Sequence, residues 1–139
     1  MRTNAQPDLE GGDTVLAAGV DLIEVERVQQ SLDRFGNRFL NRVFTEQERL
    51  YCNGRAQSLA ARFAVKEAVG KALGTGIGDI SWREIEIYNE ENGRPILILH
   101  GAAQEIARKQ RLESWTVSLS HTKIHAIGMA VAMRTKTNE

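Results

Sequence analysis

The sequence predicts a single α+β domain, from three observations. An apolar run of strand length opens the ordered part, "TVLAAGVDLI". Helical patterns follow together, the longest in "SLAARFAVKEAVGKALG". The remainder is strands with one short helix between them. Strands and helices gathered in separate runs, without regular βαβ alternation, define that class. The length of 139 residues suits one domain with one core.

The totals narrow the function classes. Lys+Arg and Asp+Glu both number 18, so the chain lacks the overall basic charge expected of a general nucleic-acid binder. Cys52 is the single cysteine, so no intrachain disulfide can form, and a reducing, cytoplasmic setting is expected. No apolar run approaches the ~20 residues of a spanning helix, and no membrane role is expected. "MRTNAQPDLEGGDT" lacks the apolar centre of a secretory signal. Residues 1–13 are polar, with Gly and Pro, and are expected to form a disordered extension before one domain at 14–139.

Each element has its own local reason. In the first strand Val15, Ala17, Gly19 and Asp21 alternate onto one face. Val25, Val28, Leu32 and Phe35 then recur at helical spacing, and Gly36 marks the stop. "NRFLNRVF" forms another short helix. "TEQE" matches a capping box, with Thr45 as N-cap and Glu48 three residues on, so a helix starts there and breaks near Asn53-Gly54. The long helix runs from about Ser58 to Leu73 and stops at Gly74. "EIEIYN" and "RPILILHG" flank a turn at Asn92-Gly93 and read as a hairpin, with Pro95 tolerated at a strand start. A helix at Ala102 to Lys109 and the strands "WTVSLSH" and "HAIGMAVAM" close the chain.

The chemistry centres on the long helix. Leu59, Phe63, Glu67 and Lys71 lie four apart and share a face, with Leu59 and Phe63 expected in the core. A carboxylate on or beside such a stripe must be paired, hydrogen-bonded or metal-bound, because bare burial costs several kcal/mol. The alternative is an exposed i,i+4 Glu67–Lys71 pair worth a few tenths of a kcal/mol. Arg62 and Lys66 lie on the adjacent flank. Three cations around one acid suit a polyphosphate with a metal; equally they describe a solvated charged face. Gly70 costs ~1 kcal/mol relative to Ala inside a helix, which implies either a close approach to the backbone there or a plain helix–helix contact.

Three other stretches carry two readings each. Gly74, Thr75 and Gly76 in "GTGIG" follow the helix, where phosphate loops usually precede one; they are either a helix stop or a permissive wrap for a ligand. Asp21 is either the cap of the next helix or one of two carboxylates sharing Mg²⁺ with Glu67. His121 in "SLSHT" either satisfies its loop or meets a phosphate or a moving proton. No G-x-S-x-G elbow accompanies it, and the histidines and lone cysteine lack zinc-ligand spacing.

Taken in order, "GVDLIEVERV", "FAVKEAVGKALGTGIG", "NGRPILILHG" and "SLSHT" resemble the holo-acyl-carrier-protein synthases, the small branch of the 4′-phosphopantetheinyl transferases. The resemblance covers about Val15 to Met133. It implies that family's fold, a mainly antiparallel sheet with a long packed helix and shorter helices. It implies transfer of 4′-phosphopantetheine from coenzyme A to a serine of apo acyl carrier protein, releasing adenosine 3′,5′-bisphosphate, in the service of fatty acid biosynthesis. Asp21 and Glu67 would then bind Mg²⁺, and Lys71 would contact phosphate beside it. Arg62 would reach the nucleotide's phosphates from a neighbouring subunit of a homotrimer. His121 and Gly74 to Gly76 would border coenzyme A, and Arg27 and Arg34 would dock the carrier. Phe63 stands where larger relatives have Trp. Two rivals remain: a non-catalytic carrier- or coenzyme-A-binding module, and a hydrolase of the coenzyme A pyrophosphate.

Overall fold

The computed structural model describes residues 15–134; the expected extension at 1–13 lies outside them. Strand β1 (Val15–Glu24) leads into α1 (Val25–Phe35), α2 (Asn37–Val43), α3 (Glu46–Cys52) and the long α4 (Ala56–Leu73). A 3₁₀ turn at Trp82–Glu84 precedes the hairpin β2 (Ile85–Asn89) and β3 (Pro95–Leu99). Helix α5 (Gly101–Lys109) and strands β4 (Ser114–His121) and β5 (His125–Arg134) complete the order. Among the described residues β1, β5 and β4 form one antiparallel sheet in the order β1-β5-β4, and β2 and β3 form a second. The α+β expectation and its order of elements are borne out, with boundaries shifted by one or two residues.

The local signals act as physical chemistry requires. Thr45 Oγ1 accepts from the Glu48 amide, and the Glu48 carboxylate accepts from the Thr45 amide at 2.8 Å, which completes the capping box of α3. Glu84 caps twice: it accepts from the Ser81 amide at 2.7 Å and from the Ala102 amide that opens α5. Those amide bonds hold its carboxyl below the usual range.

Helix α4 organises the domain. It packs against β1, β5 and β4 on one side and against α3 and β2 on another. Ala60, Ala61, Ala64, Ala68 and Ala72 are all buried, so the helix is enclosed on most of its circumference. Small side chains allow that approach, and two glycines complete it. A Cβ on Gly19 of β1 would fall 1.8 Å from the Ala68 carbonyl oxygen, and one on Gly128 of β5 would fall 2.3 Å from the Val65 nitrogen. Gly128 pairs with Asp21 in the β1–β5 register. The helix backbone therefore settles onto the sheet beside Asp21. Val65, Ala68 and Val69 join Ile85, Ile87, Leu112 and Ala130 in one core cluster, and Leu59, Ala60 and Ala61 join Val25, Val28 and Phe44 in the other.

This enclosure corrects the helical-face reading. The row Leu59, Phe63, Glu67, Lys71 runs from fully buried, through half-buried, to exposed. The flank assigned to Arg62 and Lys66, read as a cationic face near Glu67, is the interior one. Arg62 is 4% exposed and Lys66 is 0% exposed. Lys66 Nζ donates to Glu48 Oε1 at 2.8 Å and to the carbonyls of Trp82 and Ile85. It faces α3 and the hairpin, not the acid beside it. Periodicity missed this because an alanine helix packed on several sides has no single polar face.

Candidate active site

The site lies where α4 crosses the β1 end of the sheet. Asp21 follows Gly19 by two residues, so both point from β1 toward α4. Glu67 adjoins Ala68, whose carbonyl occupies the space that Gly19 leaves. Lys71 stands one turn further along and reaches back across the seam. Its Nζ donates to the Val20 carbonyl at 2.9 Å and to Asp21 Oδ1 at 3.2 Å. The Lys71 and Asp21 side chains are 54% and 21% exposed, so their pair lies open to ligand and adds little stability.

Glu67 is half-buried, and its carboxyl titrates above the usual range. Partial burial is the main cause, the Asp21 carboxylate adds to it, and Lys71 opposes both. A half-buried acid whose ionisation is opposed by a neighbouring carboxylate, with a cation alongside, forms a site that gains from further positive charge. A hard cation that takes one or two carboxylates and keeps open positions for phosphate and water fits this donor set. No three His, Cys, Asp or Glu side chains converge among the described residues, which argues against an all-protein metal cage.

Two hollows meet at Glu67. One, of about 370 Å³, is bordered by Asp21, Arg27, Ser31, Phe39, Phe63 and Glu67. The other, of about 450 Å³, is bordered by Arg42, Glu67, Gly78, Ser81 and Trp82. Between them the Phe63 and Trp82 rings stack with centroids 4.5 Å apart. Arg42 and Trp82 escaped the sequence reading. Arg42 stands four residues after Arg38 on α2, a helical spacing that marks a shared face but not what the face meets.

The other expected residues sit as follows. Arg27 borders the first hollow, and Arg34 lies exposed in the last turn of α1 with its guanidinium 5.1 Å from the Phe35 ring centroid. His121 ends β4 and borders a separate hollow of about 620 Å³, with Arg55, Ser58 and Lys123. Arg62 lies 4.6 Å over the Tyr51 ring and donates to Asn89 Oδ1 at 2.9 Å, so within one chain it does not join Glu67. Gly74 takes a left-handed conformation (φ 79°) and caps α4, and the Thr75 and Gly76 amides both donate to the Gly70 carbonyl. Gly70 is explained by this loop: a Cβ there would fall 3.0 Å from the Gly76 carbonyl carbon.

These features mark a class: an α+β protein with an acid pair and an adjacent lysine, a donor set suited to phosphate, beside two hollows that share Glu67 and each carry one arginine. Within that class the chain belongs to the 4′-phosphopantetheinyl transferase superfamily, whose family model matches residues 17–128. It is 50% identical over 126 residues to the holo-[acyl-carrier-protein] synthase of Herpetosiphon aurantiacus, covering 86% of this chain and 99% of that one. It is 51% identical over 122 residues to the corresponding synthase of Moorella thermoacetica, covering 86% and 93%. Among solved structures, the Helicobacter pylori holo-[acyl-carrier-protein] synthase in complex with coenzyme A superposes with a TM-score of 0.76 at 31% identity, covering 83% of this chain and 98% of that one. The Neisseria meningitidis synthase superposes with the same score at 32% identity, covering 84% and 96%. The chain is therefore an enzyme of this transferase family, with the family's fold.

Proposed function

We propose that this enzyme transfers the 4′-phosphopantetheine group from coenzyme A to a serine of apo acyl carrier protein, with Mg²⁺ as cofactor and adenosine 3′,5′-bisphosphate as the other product. The observation that carries the reading is the convergence of Asp21, Glu67 and Lys71 on one seam, in a chain half identical to a holo-[acyl-carrier-protein] synthase along nearly its whole length. Asp21 and Glu67 would hold Mg²⁺, which supplies Lewis-acid polarisation of the pyrophosphate and stabilises the leaving bisphosphate.

The chain's own groups then have separate tasks. Lys71 places an ammonium where phosphate charge develops, and its partial exposure leaves it free to exchange Asp21 for a phosphate oxygen. Phosphoryl transfer depends mainly on positioning and charge neutralisation, so the stacked Phe63 and Trp82 serve by fixing the walls on both sides of Glu67. Arg27 and Arg34 expose cations on α1, and Arg38 and Arg42 expose two more on α2. Such local positive charge steers an acidic carrier without any net charge on the enzyme. The serine must also lose a proton, for which Glu67 or Asp21 acting through water are this chain's candidates, while His121 borders a separate hollow.

A homotrimer with shared sites accords with two features. The sheet face opposite α4 exposes Leu16, Val20, Leu22, Ile127 and Met129, an apolar surface suited to a subunit contact. His121 and Arg62 lie apart from Glu67 in one chain, as expected if a neighbouring copy completes the nucleotide site with them and with the Gly74–Gly76 loop. Among the described residues no helix is long and apolar enough to cross a membrane, and a cytoplasmic role in lipid synthesis is the setting we assign.

The test is to incubate the enzyme with coenzyme A, Mg²⁺ and an apo acyl carrier protein, and then to weigh the carrier. A gain of one phosphopantetheine supports transfer. Free 4′-phosphopantetheine instead would identify a hydrolase, and an unchanged carrier with unchanged coenzyme A would identify a binding module; either would overturn the reading.

A further inference from the structure

One buried polar pair, with several hydrogen bonds on each side, has no part in the chemistry above. Glu48 of α3 and Lys66 of α4 are both 0% exposed and meet at 2.8 Å. Lys66 uses its three protons on Glu48 and on the Trp82 and Ile85 carbonyls. Glu48 in turn accepts from the Thr45 amide at 2.8 Å and the Ile87 amide at 2.9 Å. One pair thus ties together α3, α4, the 3₁₀ turn and β2.

Such a pair is weak support for stability, because desolvation offsets its attraction and well-packed apolar residues often do as well. Its geometry offers a different use. Lys66 and Glu67 are consecutive on α4, about 100° apart around the helix. With Lys66 held from the hairpin side and the helix seated on Gly19 and Gly128, the rotation that aims Glu67 at Asp21 has two anchors. The same ammonium grips the Trp82 carbonyl, and the Trp82 ring stacks on Phe63. Phe63 borders one hollow at Glu67 and Trp82 the other.

We propose that Glu48 and Lys66 are positioning residues: the buried pair sets the angle of Glu67 and the placement of the Trp82–Phe63 wall between the two hollows. This rests on the transfer reading, since it concerns the geometry of that site. The pair touches neither hollow, so it acts only through its neighbours.

The test uses the Glu48→Gln/Lys66→Met double variant in the full chain. It removes both charges, and the single Gln carbonyl oxygen still accepts from one of the two amides, Thr45 or Ile87, that the two Glu48 oxygens serve. Transfer to apo acyl carrier protein is measured with kcat and KM for coenzyme A separated, and in a Trp115→Phe background Trp82 emission reports the wall. Expected are a folded protein, kcat at least tenfold lower, KM within about threefold, and a red-shifted Trp82 emission. Wild-type kcat and emission in the folded variant would overturn the proposal. So would a loss confined to KM, or a variant that does not fold, since the pair would then serve the core alone. If the parent protein performs no transfer, the functional reading fails by itself, and unchanged Trp82 emission in the variant still rejects the positioning role.

Discussion

Lys71 Nζ lies 3.2 Å from Asp21 Oδ1, joining residues 50 positions apart across the seam between α4 and β1. The contact brings a partly exposed cation to the acid that, with Glu67, would bind the metal. Lys71→Ala should lower kcat about 100-fold, the scale of losing one group that stabilises transition-state charge. Its melting temperature should stay close to the parent's, because the Lys71 end of the pair is more than half exposed. Steady-state kinetics and a thermal melt decide it; unchanged kcat rejects the phosphate role.

Glu67→Gln should nearly abolish Mg²⁺-dependent transfer and leave the fold intact. It should also stabilise the protein at neutral pH. The folded-state pKa of Glu67 is raised by burial and by Asp21, so the folded protein favours the protonated form. That preference supports folding below the ordinary value of 4.5 and is lost as pH rises through the folded-state pKa. Melts at pH 7.5 should therefore favour the Gln variant in metal-free buffer, with the difference vanishing near pH 4. Added Mg²⁺ should raise the parent's melting temperature more than the variant's.

Arg27→Ala should weaken use of the carrier more than binding of coenzyme A. Arg27 is exposed on α1 at the rim of the first hollow, where an approaching acidic partner would meet it. The expected result is a rise in KM for the carrier that shrinks as salt is added, with KM for coenzyme A unchanged. Equal effects on both substrates reject a docking role.

Gly128→Ala should destabilise the fold by about 3 kcal/mol, the upper range for a forced overpacking. Its Cβ would meet the α4 backbone at Val65, which has no flexible side chain to move aside. Urea unfolding measures the loss. Since the same contact seats α4 beside Asp21, activity should fall even under conditions where the variant remains folded.

Leu22→Glu should disrupt self-association if the outer sheet face is the subunit contact. Leu22 is 64% exposed there, and a carboxylate near an apolar interface costs several kcal/mol. Sedimentation should show a shift from trimer to monomer, with loss of transfer because each site would lose the partner's groups. A variant that stays trimeric places the contact elsewhere.

Residues close together in the chain could be read directly. The Thr45–Glu48 capping box, the Gly74 helix stop and the Asn92-Gly93 hairpin depend on backbone groups a few positions apart, so sequence determined them. The ordered motifs also identified the family and singled out Asp21, Glu67 and Lys71. What tertiary structure decided is which charges are inside. Lys66 and Glu67 are neighbours in sequence, yet one is fully buried against Glu48 and the other opens onto two hollows. An alanine-rich helix carries no stripe to separate them. The separation comes from what surrounds α4: two glycines that admit the sheet on one side, and carbonyls from the Trp82 turn and β2 that claim an ammonium on another. Those partners lie 16 to 63 residues away from their contacts on α4, beyond the reach of any local pattern.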